Sequence, residues 1–213
     1  MRSIFYLYLM TTNEILSRSK ISESDVIALY PYGSRVYGNF KPTSDFDFIA
    51  IIKKKTNDQF SDNQININIF DIVGHQTRLI NHEISALECF FLNKELILIE
   101  KQKFQFKLNL GILRNSLSAK SSNSFVKAKK KLTVEPDTPE NLSLGKKSLW
   151  HSFRILEFGI QIAKYNKIID YSSCNDLFSE IMNFSNDWSN LFEKYKRQYN
   201  QIHSEFVKIA PKF

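Results

Sequence analysis

The chain has 213 residues, 43% of them hydrophobic and 24% charged; these are ordinary globular values, enough for one large domain or two small ones around a real core. A formal net charge of +7 and a pI of about 9.3 favour anionic partners such as nucleotides or nucleic acid. Cys89 and Cys174 lie far apart without metal-ligand spacing, so buried free thiols in a reducing compartment are expected.

The first ten residues carry one positive charge and a short apolar run. A bilayer span needs about 20 apolar residues, and no small-residue cleavage site follows, so no membrane partner is expected and the chain reads as cytoplasmic. The run suits a first strand or arm, or an upstream start with Met10 as the true initiator. Thr12-Asn13-Glu14 opens a helical pattern with Ile15 and Leu16 on one face. Val26 to Tyr30 is an apolar run that Pro31 is expected to end, hence a short buried strand. After the Tyr32-Gly33-Ser34-Arg35 loop, Asp45 to Lys53 reads as a second strand, and the polar stretch Lys54 to Asn63 as a loop. Gln64 to Phe70 alternates with period two, the clearest strand signal in the chain. Beyond Gly74 the pattern turns helical, with Leu79, Ile80, Ile84, Leu87, Phe90 and Phe91 at three- and four-residue steps. Leu96 to Ile99 is strand-like or a helix end. From Leu113 onward the sequence looks helical, broken at Pro136 and Pro139. The expected organisation is an α/β domain over 1–113 and a basic helical domain over 114–213.

The stretch that carries chemistry is Gly33-Ser34, ten residues, then Asp45-Phe46-Asp47. Alternate residues of a strand point the same way, so Asp45 and Asp47 project together. Two such carboxylates repel, and a divalent cation relieves the repulsion; Mg²⁺ commonly takes one or two carboxylates together with substrate phosphates. Gly33 lets the backbone approach a phosphate, while Ser34 offers a hydroxyl and an N–H. Asp-x-Asp alone is common on surfaces. Here the pair opens an apolar strand, where carboxylates are costly unless something binds them.

This spacing resembles the signature of the DNA polymerase β-like nucleotidyltransferase superfamily. The fuller form, Tyr32 to Gly38 followed by Ser44-Asp-Phe-Asp47, is most similar to its RNA-ligase-associated branch of predicted nucleotidyltransferases. Ala86 to Phe91 and Lys147 to Arg154 fit that branch too. The resemblance implies an α+β fold, a small mixed β-sheet backed by helices and followed by a helical C-terminal domain. It also implies Mg²⁺ or Mn²⁺ as cofactor and a nucleoside triphosphate as substrate, with ATP favoured.

Such proteins usually carry a third carboxylate on a neighbouring strand. Here that strand presents Asn66 and Asn68 opposite its isoleucines, while Asp71 has the isoleucine parity and reaches the site only if the strand ends or bulges near Phe70. Three readings stay open: Asp71 substitutes; an asparagine, Asn68 the leading one, supports a slower enzyme; or the protein binds nucleotide without turnover. An asparagine offers a neutral oxygen and no base.

In the helical part, Lys147, His151 and Arg154 fall at i, i+4 and i+7, one helix face that, with Arg35, is expected to hold phosphate. Leu149, Phe153, Leu156 and Ile160 run along a different face that would pack inward. Lys127 to Lys131 suits an RNA patch or a solvated surface. Phe184, Trp188, Phe192, Tyr195 and Tyr199 suit core packing or a dimer face. The expected function is transfer of a nucleoside monophosphate from a triphosphate to an acceptor, with RNA favoured. The alternatives are an AMP-adding, protein-modifying antitoxin type and a catalytically weak nucleotide- or RNA-binding protein; an acidic pocket for a cationic antibiotic is not evident.

Overall fold

A computed structural model describes residues 10–136 and 138–211, so the expectation of a strand or arm at the extreme N-terminus lies outside the described residues. The chain divides into two compact units, Met1–Lys107 and Leu108–Phe213. Residue 113, where the sequence pattern changes, lies inside the first helix of the second unit.

The first unit is built on a five-stranded mixed sheet in the order β3-β4-β2-β1-β5. Its strands are β1 (Val26–Tyr32), β2 (Phe46–Ile52), β3 (Asn57–Ser61), β4 (Ile65–Asp71) and β5 (Ile99–Glu100). Only β2 and β4 run parallel. Helix α1 (Thr12–Ser19) begins with a capping box in which Thr11 and Glu14 exchange bonds. Its Ile15 and Leu16 join Leu29, Phe48, Ala50, Ile65, Ile67 and Ile69 in one core. Helices α2 (Ser34–Tyr37), α3 (Ile72–Ile80) and α4 (Ile84–Phe90) complete the unit.

Two strand expectations need correction. β1 does not stop before Pro31: that residue pairs with Phe48 on one side, while β5 reaches only Ala28 and Leu29 on the other. The edge beside Pro31 therefore needs no ladder donor, which is where a strand tolerates proline. The polar stretch after Lys54 contains β3, paired antiparallel with β4 from Asn57 to Ser61. It is an exposed edge strand, and its backbone bonds, not an apolar pattern, make it a strand.

The second unit consists of α5 (Leu110–Thr133), α6 (Pro139–Tyr165), α7 (Asn175–Asn183) and α8 (Trp188–Ile209). Thr138 caps α6 by accepting the Asn141 N–H, and Pro139 sits in its first turn, where a missing N–H costs nothing. Leu149, Phe153, Leu156 and Ile160 are all buried. Phe125 of α5 meets Trp188, Phe192 and Tyr199 of α8, and Phe153 meets Tyr195 and Tyr199. The aromatic series of the C-terminal helix is core packing. Lys146 is buried and donates to Met182 O, Phe184 O and Asn186 Oδ1, which ties the α7–α8 connection to α6. Both cysteines are buried free thiols. No helix among the described residues is long and apolar enough to cross a membrane.

His75 of α3 is 1% exposed, packed on Tyr30 and Phe104, and its Nδ1 has no hydrogen-bond partner among the described residues. Burial, with a smaller effect from Arg78, pulls its pKa down to about 4. A depressed histidine pKa means the unfolded chain binds the proton more readily, so the stabilising effect is complete above pH 6.5 and is lost as pH falls towards 4. The total is on the order of 3 kcal/mol. Denaturant melts of wild type and His75→Leu between pH 7 and pH 4 should show the variant losing less stability over that interval; parallel pH profiles would contradict the assignment.

Candidate functional site

β1 ends at Tyr32, which lies directly opposite Asp47 of β2. The chain must then turn over that carboxylate, and Gly33 makes the turn with φ 77° and ψ −156°, a conformation essentially reserved for glycine. A Cβ at residue 33 would collide with the Asp47 carboxylate, its Cγ only 3.0 Å away. The single turn of α2 follows, closed by Gly38 at φ 82°. Gly33 O accepts from the N–H of Val36 and Tyr37, and Ser34 O from Gly38 and Asn39. The loop is thus rigid, and it sits against one of the two acids.

Asp45 is exposed just ahead of β2, and Asp47 is half-buried within it. They converge on one group. Asn66 of β4, in register with Asp47, donates through Nδ2 to Asp45 Oδ2 at 3.3 Å and Asp47 Oδ1 at 3.2 Å. Its own Oδ1 accepts the Ser61 hydroxyl at 2.6 Å. Parity placed Asn66 and Asn68 on one face, but the parallel register selects Asn66: Asn68 stands opposite Ile49, and among the described residues no hydrogen bond joins it to either acid. The reading that gave Asn68 the leading role is corrected accordingly.

Asp71 is also not part of this cluster. It pairs with Ile52 at the far end of β2, five residues beyond Asp47, a distance of roughly 16 Å along a strand. There it caps α3 by accepting from Gly74 N at 2.6 Å, and it also receives Thr56 N. A cavity of about 840 Å³, lined among others by Lys53, Phe70, Asp71, Val73 and Arg78, lies at that far end, away from the acid pair.

Arg35 is buried and its guanidinium is already engaged. It stacks 3.6 Å from the Phe46 ring centroid, and it donates to Ser44 O at 2.6 Å and Asp45 O at 3.3 Å. Burial pulls its pKa down while Asp45 and Asp47 pull it back up. Arg35 therefore orients the Asp45 backbone rather than reaching outward for phosphate. A further residue holds the loop from beneath: Tyr37 donates its hydroxyl to Glu88 Oε2 at 2.6 Å, both side chains being 2% exposed. From the sequence, Glu88 is a carboxylate on an apolar helix face that is expected to cap or buttress the site. Its pairing across 51 residues is set by tertiary packing.

In the second unit, α6 presents Lys147 exposed, His151 half-buried and Arg154 buried. Arg154 donates from Nε to His151 Nδ1 at 3.3 Å, and its guanidinium lies over Phe158 and Trp150. Burial depresses the His151 pKa well below the ordinary value, and Arg154, Lys127, Lys147 and Lys120 add to the depression. At neutral pH His151 is uncharged, with its proton on Nε2, inside a cationic patch drawn from α5 and α6. In the basic run, Lys130 and Lys131 pair with Glu135 instead.

Two carboxylates converging on one point beside a glycine-lined approach fit a single divalent cation with phosphate oxygens filling its remaining positions. Asp45 and Asp47 are the acids that would hold it; no cluster of three or more His, Cys, Asp or Glu side chains suited to a metal occurs among the described residues.

The first unit is a mixed sheet whose β1–β2 connection sets a glycine turn against an acid pair. A family model described as nucleotidyltransferase domain matches residues 10–126, through the first unit and into α5, and the chain belongs to that family. No curated protein matches the chain.

The collision at Gly33 yields a direct expectation. Gly33→Ala should cost about 1–3 kcal/mol of stability from the backbone alone and displace Asp47, so nucleotide binding measured by calorimetry should be lost in protein that still melts cooperatively. Arg35→Lys, which cannot span both carbonyls with a planar fork, should weaken nucleotide affinity several-fold. Wild-type affinity in either variant would remove that residue from the site.

Proposed function

We propose that the protein transfers a nucleoside monophosphate from a nucleoside triphosphate, ATP foremost, to a hydroxyl of an acceptor, with RNA the favoured acceptor. The observation that carries this reading is the convergence of Asp45 and Asp47 beside the Gly33 turn. A Mg²⁺ or Mn²⁺ ion bound by the two acids would neutralise phosphate charge and orient the α-phosphate. Gly33 and Ser34 bring backbone and hydroxyl donors to the triphosphate, and Arg35 and Glu88 hold that loop in place. The acceptor oxygen bonds to the α-phosphorus, the bond from that phosphorus to the β-bridging oxygen breaks, and pyrophosphate leaves. The acceptor proton passes to solvent water, because Asn66 has no basic group to receive it.

Lys147 and His151 are proposed to bind phosphate oxygens, with Lys120 and Lys127 extending the same positive patch, while the buried Arg154 orients the His151 ring. The basic character of the patch, the overall charge and the similarity of Ala86 to Phe91 and Lys147 to Arg154 to the RNA-ligase-associated branch favour RNA over a protein acceptor. The neutral amide at position 66 favours one other reading, nucleotide binding with little turnover.

Incubation of the full chain with α-labelled triphosphates, Mg²⁺ or Mn²⁺, and total RNA or cell lysate separates these readings. Label is expected in RNA, and Asp45→Asn with Asp47→Asn should reduce it at least 100-fold, in line with the loss of electrostatic stabilisation of the reacting phosphate. Label in protein would support the protein-modifying alternative, and binding without label the non-catalytic one. Activity that survives the double substitution would sink the site assignment.

A further inference from the structure

Asn66 is the β4 side chain that meets both acids, and it meets them as a donor. Carboxylates accept only, so the amide turns its NH₂ towards Asp45 and Asp47 and leaves its oxygen to the Ser61 hydroxyl at 2.6 Å. The pair thus carries two negative charges, and Asn66 adds none, while the nearby Arg35 guanidinium adds positive charge that further disfavours a second cation. One divalent cation on Asp45 and Asp47 balances those charges. A second ion about 3.5–4 Å away, as in two-metal sites, would repel the first with fourfold the energy of two unit charges at that separation. It would need an anionic protein ligand close to both acids. Position 66 is where such a ligand would stand, and it holds an amide. Asp71 is engaged as a helix cap, and Asn68 is opposite Ile49.

We infer that Asn66 limits this site to a single divalent cation, taken up with the triphosphate, and that an acid at position 66 would open a second cation position. The inference rests on the reading of Asp45 and Asp47 as cation ligands. Asn66 thereby determines metal stoichiometry: it spreads the charge of the two acids through paired hydrogen bonds and offers no charge of its own to a second ion. An amide oxygen turned towards an ion would give up both bonds to the acids and supply only a dipole in return.

The test counts ions rather than turnover. The full chain is dialysed against Mn²⁺ with a saturating ATP analogue whose α,β-bridge is methylene, and protein-bound Mn²⁺ is quantified by electron paramagnetic resonance. Wild type is expected to hold one Mn²⁺ per chain and Asn66→Asp two, with the spectral broadening of two coupled ions in the variant alone. Two ions on wild type, or one ion on both proteins, would overturn the inference. If thermal melts show Asn66→Asp unfolded, the wild-type count decides: one ion supports the inference and two defeats it. A wild-type chain that binds the analogue but no Mn²⁺ would bring down the cation reading of Asp45 and Asp47 itself, a result separable from a count of two.

Discussion

Two carboxylates held at the start of one strand repel each other, and much of the local architecture around β2 answers that repulsion. Asn66 donates to both from the neighbouring parallel strand. Arg35, attracted to both charges, grips the carbonyls of Ser44 and Asp45 and lies flat on Phe46. Asn66 thus bridges the two carboxylates, and Arg35 fixes the backbone that carries Asp45. In the proposed reading, the charge of the pair suits the position to a cation arriving with its own anionic ligands. The Gly33 turn follows from the same constraint: with Tyr32 paired opposite Asp47, a residue bearing a Cβ could not pass.

The loop is also held from the core. Tyr37, the last residue of α2, donates to Glu88, so a buried carboxylate on α4 is tied to the turn that begins at Gly33. Burying Glu88 requires hydrogen-bond donors around its oxygens, and the Tyr37 hydroxyl is one of them. The cost of that burial is offset only in the folded arrangement, which couples the shape of the loop to the packing of α4. The segment Ala86 to Phe91 is thereby tied to the Gly33 loop: its apolar positions bury the helix, and its one carboxylate accepts the Tyr37 hydroxyl.

What could be read in the sequence was local. The Gly-Ser turn and the Asp-x-Asp pair declare themselves by spacing, and the alternation in Ile65 to Phe70 reveals β4 and the face that Asn66 and Asn68 share. Parity cannot choose between those two, because the choice depends on how β4 slides against β2, and that register comes from pairing between distant segments. Pro31 misled for a related reason: whether proline ends a strand depends on whether a neighbour needs its N–H, and β5 stops short. β3 was hidden because an exposed edge strand shows no apolar alternation. Asp71 did carry a local signal. An aspartate three residues before Gly74, at the onset of a helical pattern, is an N-cap by type and position, and that structural role competes with a catalytic one.

The helical unit makes a different electrostatic point. His151 lies among cations on two helices and accepts a bond from Arg154, so it stays neutral and offers its Nε2–H as a donor instead of adding charge. A patch built this way keeps its positive potential in Lys120, Lys127, Lys147 and Arg154 and gains a directional donor. The acid pair of the first unit raises a separate question, that of binding against chemistry. In the proposed reading, Asp45 and Asp47 serve the binding of a metal-triphosphate. Transfer also needs the acceptor hydroxyl to lose a proton, and the neutral amide at position 66 does nothing to help. In the proposed reading, rate enhancement comes from holding phosphate and acceptor in line and from stabilising charge on the phosphate, so the protein would bind its nucleotide far better than its turnover alone would suggest.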